Sequence, residues 1–323
     1  MVKIDIISGF LGAGKTTLIK KLLKDGFQGE QVVLIENEFG EIGIDGGFLK
    51  EAGIQIREMN SGCICCSLVG DFGTSLKEVV TKYDPDRILI EPSGVGKLSD
   101  VIKAVQGVQD EVDIKLNSYT TVVDAKKCKM YMKNFGEFFD NQIQYAGAII
   151  MSRTDIASEK KVQESLELLR SLNKDAAIIT TPIENLDGKK LVEVMEHPVS
   201  LEQEMLEEEH EHHHHHDGEC GCGHDHHHHH ADEVFTSWGR ETIKKYTREG
   251  LEKILEALSE SDKYGIILRA KGMLPAEDGT WIYFDMVPEE TEIREGSPEY
   301  TGRLCVIGSK LNEEKLAKLF GVA

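Results

Sequence analysis

Apolar residues recur along the first 198 positions in two alternating rhythms. Strand-like apolar runs occupy residues 3–7, 31–36, 87–91, 120–124, 146–152 and 176–180. Between them the spacing changes to that of an amphipathic helix. Residues 15–24 place Leu18, Ile19, Leu22 and Leu23 on one face, and residues 159–172 do the same with Val162, Leu166 and Leu169. Strands alternating with helices predict parallel β-α-β units, hence a doubly wound α/β domain over residues 1–198.

The rhythm stops near Pro198. Residues 201–231 have almost no apolar periodicity; they are Glu-rich, then His-rich, with Gly218-Glu219-Cys220-Gly221-Cys222-Gly223 in the centre. Such a segment has too little apolar surface to fold on its own, so a mobile linker is expected over 199–231. Structure signals resume at Val234. The spacing of Ile243, Tyr246, Leu251, Ile254, Leu255 and Leu258 predicts a helix over 240–259, followed by strands at 264–271, 280–287 and 303–308 and a helix at 312–320. This reads as a small α+β C-terminal domain, residues 232–323.

Composition sharpens this picture at one point. The formal net charge is −20, yet residues 202–233 hold eleven acidic residues and no Lys or Arg; without them the charge is −9. An acidic surface repels phosphate backbones, which argues against a nucleic-acid partner. No apolar run approaches the roughly 18 residues of a membrane span, and the charged start lacks the pattern of a secretion signal. A cytoplasmic location is the expectation. In that setting, clustered thiols such as Cys63/Cys65/Cys66 and Cys220/Cys222 suggest metal or redox chemistry rather than a disulfide framework.

Gly9-Phe10-Leu11-Gly12-Ala13-Gly14-Lys15-Thr16 fits G-x-x-x-x-G-K-[ST] between a predicted strand and a predicted helix. The glycines let backbone N–H groups curl around nucleotide phosphates, with Ala13 and Thr17 completing the loop. Lys15 is expected on the β- and γ-phosphates, and the Thr16 hydroxyl on Mg²⁺. A Gly-rich turn that merely caps a helix is the bland alternative. A second acidic position is expected at the end of a neighbouring strand, and Glu91-Pro92-Ser93-Gly94 supplies it. Glu91 either reaches Mg²⁺ through water, orients the attacking water, or caps its strand; the Gly94 amide is a candidate γ-phosphate sensor.

Ser152-Arg153-Thr154-Asp155 ends another strand. The Asp155 carboxylate can accept the N1 and N2 protons of guanine, a donor pair that adenine lacks. Arg153 stands where GTPases usually carry Lys, and its planar cation can stack on a base.

Ser61-Gly62-Cys63-Ile64-Cys65-Cys66 brings three thiols within four residues, and Gly62 permits the sharp turn that would make them converge. Metal binding is the leading reading. A redox pair is the second, although adjacent Cys65 and Cys66 are poorly placed for a relaxed disulfide. Buried packing cysteines are the third. Glu36 and Glu41 lie upstream, where P-loop GTPases carry their first switch, and are candidates to complete a metal sphere. Cys128 and Cys305 sit among apolar neighbours and read as packing residues. His197 reads as a surface residue, and Trp238 and Trp281 as core of the second domain.

These motifs occur in an order that resembles the CobW family: the loop 9–17, Glu36-Asn37-Glu38-Phe39-Gly40-Glu41-Ile42-Gly43-Ile44-Asp45, Cys63-Ile64-Cys65-Cys66 and Glu91-Pro92-Ser93-Gly94. Leu268-Arg269-Ala270-Lys271-Gly272 and Thr280-Trp281-Ile282-Tyr283-Phe284 extend the resemblance into the second domain. That family belongs to the SIMIBI class of P-loop GTPases, alongside HypB and UreG. The resemblance implies a GTP/GDP-binding hydrolase that acts as a metallochaperone or metal insertase for Zn²⁺, Co²⁺ or a related ion. It implies that Cys63, Cys65 and Cys66 are the ligands of the switch metal and that a client metalloprotein is the partner. Arg153 departs from the family's usual [NST]-K-x-D.

The segment around 210–230 carries twelve of the thirteen histidines. His212, His213, His214, His215 and His216 form one run and His226, His227, His228, His229 and His230 the other, with Cys220 and Cys222 between them. Imidazoles bind Zn²⁺, Co²⁺, Ni²⁺ and Cu²⁺, so several weak, exchanging sites are expected. An expression tag is the trivial alternative, set against by the internal position and the intervening Cys-Gly-Cys. Three functions compete: a GTP-dependent metallochaperone, a metal store with the arm as its main site, and a P-loop small-molecule kinase. The last leaves the thiols and the arm unexplained. A homodimer stays open.

Overall fold

The computed structural model describes residues 1–36, 55–58, 69–109, 111–198, 236–260, 262–287 and 290–322. The chain divides into two compact units, Met1–Pro198 and Val199–Ala323.

The first unit is built on a seven-stranded sheet of order β3-β2-β4-β1-β5-β6-β7, parallel throughout. The strands are β1 (Val2–Gly9), β2 (Val32–Glu36), β3 (Gln55–Glu58), β4 (Arg87–Glu91), β5 (Ile114–Asp124), β6 (Ala148–Ser152) and β7 (Ala177–Ile179). The connecting helices are α1 (Lys15–Lys21), α2 (Val69–Tyr83), α3 (Leu98–Val108), α4 (Cys128–Gln144), α5 (Glu159–Leu172) and α6 (Gly188–Glu196). Strands covered by helices on both faces must be apolar on both, which is why Val32-Val33-Leu34-Ile35 and Ile88-Leu89-Ile90 are buried without a break. The doubly wound architecture is as the sequence pattern reads it and each predicted strand is present, but β5 begins at Ile114 rather than at 120, and the short edge strand β3 was not among those predicted. Helix α1 is shorter than the predicted 15–24, because Leu22–Gly26 widens into a single π turn. Cys128 is fully buried, and burial pushes its thiol up to about 11, as suits a packing residue. His197 is exposed at the end of α6.

Toward the amino-terminal ends of the central strands β4, β1 and β5 sits a buried ionic cluster. Asp5 interrupts the apolar β1, and a register shift between Ile4 and Asp5 brings both Asn117 and Ser118 of β5 against it. Asn117 Nδ2 donates to Asp5 Oδ1 at 2.8 Å and Ser118 Oγ donates to the same oxygen at 2.6 Å. Arg87 faces Asp5 from β4; it also donates to Glu30 at 2.6 Å and to Glu196 of α6 at 2.9 Å, while Phe27 lies 4.1 Å from its guanidinium carbon. Burial opposes the Arg87 charge, yet the carboxylates around it outweigh that and hold it protonated. Burial likewise raises Glu196, but hydrogen bonds from Asn117 and Arg87 and the charges of Arg87 and Lys3 hold it below its ordinary 4.5.

The second unit is a five-stranded antiparallel sheet of order β11-β10-β9-β12-β8. Its strands are β8 (Thr236–Thr242), β9 (Ile266–Pro275), β10 (Trp281–Val287), β11 (Glu290–Gly296) and β12 (Gly302–Ser309). Helices α7 (Arg248–Glu260) and α8 (Glu313–Phe320) supply Leu251, Leu255, Leu258, Leu316 and Phe320 to a core shared with Trp238, Ala270, Leu274, Phe284, Leu304 and Val306. Trp281 is buried as well, as is Cys305 beside Ile307. The predicted helix over 240–259 is corrected: it begins only at Arg248, and residues 240–242 belong to β8. The antiparallel ladder that runs from Thr242 opposite Gly302 to Thr236 opposite Gly308 makes these residues a strand. Tyr246 packs where the chain pairs with Ala276, so its helix-like spacing from Ile243 is coincidental.

The ionic cluster generates two expectations. Arg87→Met leaves the Asp5 carboxylate buried without its cation and lowers the unfolding free energy by about 3–5 kcal/mol in urea titration. Because the Glu196 pKa is depressed on folding, its contribution is complete above its ordinary 4.5 and is lost as pH falls below that value, so acid titration of stability becomes shallower in Glu196→Gln.

Candidate functional site

The phosphate loop leaves the carboxyl end of β1, the central strand, where neighbours β4 and β5 diverge in their connections. That is the topological switch point at which open α/β sheets bind ligands. Gly9, Gly12 and Gly14 have φ of +145°, +67° and +106°. At Gly9 a Cβ would stand 2.5 Å from the Val122 carbonyl oxygen of β5, so only glycine lets the chain turn there. Ala13 N–H donates to the Phe10 carbonyl at 3.1 Å and closes the turn.

Lys15 is buried at the start of α1; its Nζ donates to the Gly9 carbonyl at 3.0 Å and lies 3.7 Å from Glu91 Oε1. Thr16 and Thr17 follow it on the same turn. Glu91 ends β4 in register with Glu36 of β2, and Glu36 is in turn in register with Glu58 of β3. Three glutamates therefore end three adjacent parallel strands. Gly94 backs onto the loop, since its Cβ would meet Leu11 N at 3.0 Å.

A pocket of about 240 Å³ opens beside this loop, lined among others by Ala13, Gly14, Thr17, Arg153, Asp155 and Glu184. Two hydrogen bonds tie its far wall to the phosphate loop. Ser152 Oγ donates to the Ala13 carbonyl at 2.6 Å, and Arg153 Nη2 donates to the Gly12 carbonyl at 2.9 Å. Arg153 holds a left-handed φ of +59°, and its other terminal nitrogen pairs with Asp124, buried at the end of β5. So Arg153 is placed by an ion pair and a carbonyl, a role the stacking expectation did not include. Asp155 is exposed at the pocket mouth.

Glycine cradle, aimed ammonium and adjoining pocket together fit a nucleoside triphosphate. Sequence reasoning missed Asp124, Ser152 and Glu184. Asp124 had a signal, a carboxylate ending an apolar strand as Glu91 does; Glu184, in a short turn, had none. Cys63, Cys65, Cys66, Glu41, His212–His216, Cys220, Cys222 and His226–His230 lie outside the described residues. Among the described residues no group of three His, Cys, Asp or Glu side chains converges as a metal site, and no helix is long and apolar enough to cross a membrane.

The loop geometry separates two glycine substitutions. Gly9→Ala must displace β5 and costs at least about 2 kcal/mol in thermal unfolding. Gly12→Ala, with nothing within 4 Å of its Cβ, costs only the left-handed backbone penalty of about 1–2 kcal/mol.

The family model "CobW/HypB/UreG, nucleotide-binding domain" matches residues 3–180, and "Cobalamin synthesis protein cobW C-terminal domain" matches residues 235–323. The chain is 29 % identical over 191 residues to the zinc chaperone YeiR of Escherichia coli, covering 59 % of this chain and 58 % of that relative, so the match spans less than two thirds of it. It is 24 % identical over 333 residues to the zinc-regulated GTPase metalloprotein activator 1 of Schizosaccharomyces pombe, covering 90 % of this chain and 76 % of that one. The crystal structure of the Zn(II)-bound YjiA GTPase from E. coli aligns with a TM-score of 0.44 at 21 % identity, over 99 % of this chain and 98 % of that one. With its nucleotide-binding unit matched over more than half its length and its second unit matched by the partner model, the chain belongs to the CobW/HypB/UreG family.

Proposed function

We propose that this protein is a GTP-hydrolysing metallochaperone that binds a transition metal, Zn²⁺ in the first instance, at Cys63, Cys65 and Cys66 and delivers it to a client metalloprotein in the cytoplasm. The observation that carries the nucleotide half is the placement of Lys15. Its ammonium is buried in a glycine cradle, between the Gly9 carbonyl and Glu91, at the switch point of a parallel sheet. A buried cation that contacts a carbonyl and a carboxylate at the mouth of a glycine loop is placed to exchange such contacts for phosphate oxygens.

In this reading the loop amides and Lys15 hold the phosphates, and Asp155 accepts the guanine N1 and N2 protons. Ser152 and Arg153, by bonding to Ala13 and Gly12, keep the base pocket and the phosphate loop at a fixed spacing. Thr16 and Glu91 are the residues that would hold Mg²⁺, which supplies charge neutralisation at the β- and γ-phosphates.

The metal half rests on chemistry and on kinship. Three thiolates within four residues suit Zn²⁺ or Co²⁺, and the relatives above are a zinc chaperone and a zinc-regulated GTPase metalloprotein activator. The thiol motif lies between β3 and α2, and Glu36 and Glu41 lie between α1 and β3. Both segments adjoin strands that run parallel to β1 and so end on the side of the sheet from which the phosphate loop leaves, which lets nucleotide state bear on metal ligation. The His/Cys-rich arm acts as an accessory reservoir, its imidazoles serving Zn²⁺, Co²⁺ or Ni²⁺.

Three variants test this reading by release of inorganic phosphate. Lys15→Ala abolishes GTP hydrolysis and leaves metal uptake by the arm intact. Asp155→Asn reduces the preference for GTP over ATP by about 10–100-fold, since one donor–acceptor match becomes a clash. Deleting residues 210–230 lowers metal stoichiometry with hydrolysis nearly unchanged; loss of hydrolysis on that deletion would overturn the reservoir assignment. A phosphorylated small molecule in place of free phosphate would overturn the hydrolase reading.

A further inference from the structure

The last turn of helix α4 carries two consecutive side-chain amides, Asn141 and Gln142, that lie outside the nucleotide pocket. Both reach across to the loop that joins β4 to α3. Asn141 Oδ1 accepts from the Ser99 backbone N–H at 3.2 Å, and its Nδ2 donates to Ser99 Oγ at 3.0 Å, which holds the start of α3. Gln142 is fully buried. Its Nε2 donates to the Gly94 carbonyl at 3.1 Å and to the Gly96 carbonyl at 2.8 Å.

A primary amide has two N–H donors, and here both serve one loop. The polarity is enforced, because the flipped amide would set an oxygen against two carbonyl oxygens. Among the described residues Gln142 Oε1 meets no donor. Burying an acceptor without a partner is costly, which marks the two donated bonds as the reason for the residue. Gln142 is itself fixed to the sheet: its backbone carbonyl accepts from Thr121 Oγ1 of β5 at 2.7 Å. Thr121 precedes Val122, whose carbonyl limits Gly9 to glycine. A chain of bonds therefore runs from β5 beside the phosphate loop, through Gln142, to the loop after Glu91. The turn's own bonds are local, Gly96 N–H to the Ser93 carbonyl at 2.9 Å and Val95 N–H to Ser93 Oγ at 3.5 Å, and do not tie it to the sheet.

We infer that Gln142 is a positioning residue for nucleotide-state sensing. By pinning the Gly94 and Gly96 carbonyls to α4 it holds Gly94 against Leu11 of the phosphate loop, and so sets the preference for nucleoside triphosphate over diphosphate. This rests on the reading of residues 91–96 as the loop that meets the γ-phosphate. Diphosphate contacts the cradle and base pocket alone, so its affinity should not depend on Gln142.

The test uses the full chain with Gln142→Glu, which is isosteric and sets carboxylate oxygen against both carbonyls, and Gln142→Met, which keeps volume and removes both donors. Affinity for GDP and for guanosine 5′-(β,γ-imido)triphosphate is measured by calorimetry, and amide exchange by mass spectrometry on nucleotide-free protein. The expected result is GDP affinity within about twofold of the parent, imido-triphosphate affinity lower by about 10–30-fold, and faster exchange confined to residues 91–99. Equal weakening of both nucleotides would reduce Gln142 to a structural residue and overturn the inference, as would unchanged exchange in 91–99. If the parent chain binds neither nucleotide, the GTPase reading fails by itself, and the exchange result alone decides whether Gln142 holds the loop.

Discussion

The close approach of Gly9 to the Val122 carbonyl is the constraint on which the rest of the site depends. The central strand must end and reverse within contact of its neighbour, and a side chain of any size would wedge β1 from β5. Because the chain turns there, the Gly9 carbonyl points back across the loop and meets the Lys15 ammonium. The same turn brings Ala13 and Gly12 against the end of β6, where Ser152 and Arg153 fasten them. The glycine loop, the Lys15 ammonium and the adjoining pocket thus share one steric origin at the middle of the sheet.

From that origin, polar contacts spread to either side. Toward β6, two bonds join the loop to the pocket wall, and Asp124 steadies Arg153 in a strained left-handed conformation. Toward β4, Glu91 faces Lys15 and Gly94 packs on Leu11. The opposite end of the sheet is held by a different device, the buried Arg87 cluster. There one guanidinium joins β1, β4 and the last helix of the unit, and polar satisfaction replaces the apolar packing used elsewhere.

Much of this was legible in the residues because parallel, doubly covered strands are apolar from end to end. The run Arg87–Glu91 and the helix Glu159–Leu172 stand out at their full lengths for that reason. The phosphate loop is legible because its chemistry demands glycine and lysine at fixed spacing. What was not legible shows where the physics is non-local. Strand β11 is almost wholly polar, Glu-Thr-Glu-Ile-Arg-Glu-Gly, and its place at the sheet edge comes from pairing with β10 rather than from burial. Residues 240–242 fell within the predicted helix but pair with β12 as a strand, since ladder pairing decides what local periodicity does not. Arg153 and Gln142 take their roles from partners 29 and 48 residues away, Asp124 and Gly94, and no local pattern announces such pairs.

The central claim is that nucleotide state and metal ligation are coupled in one chain. It is tested most directly by Zn²⁺ affinity, measured by competition with a chromogenic chelator on protein lacking residues 210–230, with GDP bound and with the imido-triphosphate bound. The account predicts affinities that differ between the two nucleotide states by about tenfold or more, and a difference that vanishes in Cys65→Ala/Cys66→Ala. Equal Zn²⁺ affinity in both states of the parent protein would contradict it, and would leave a GTPase and a metal store that share a chain without sharing free energy.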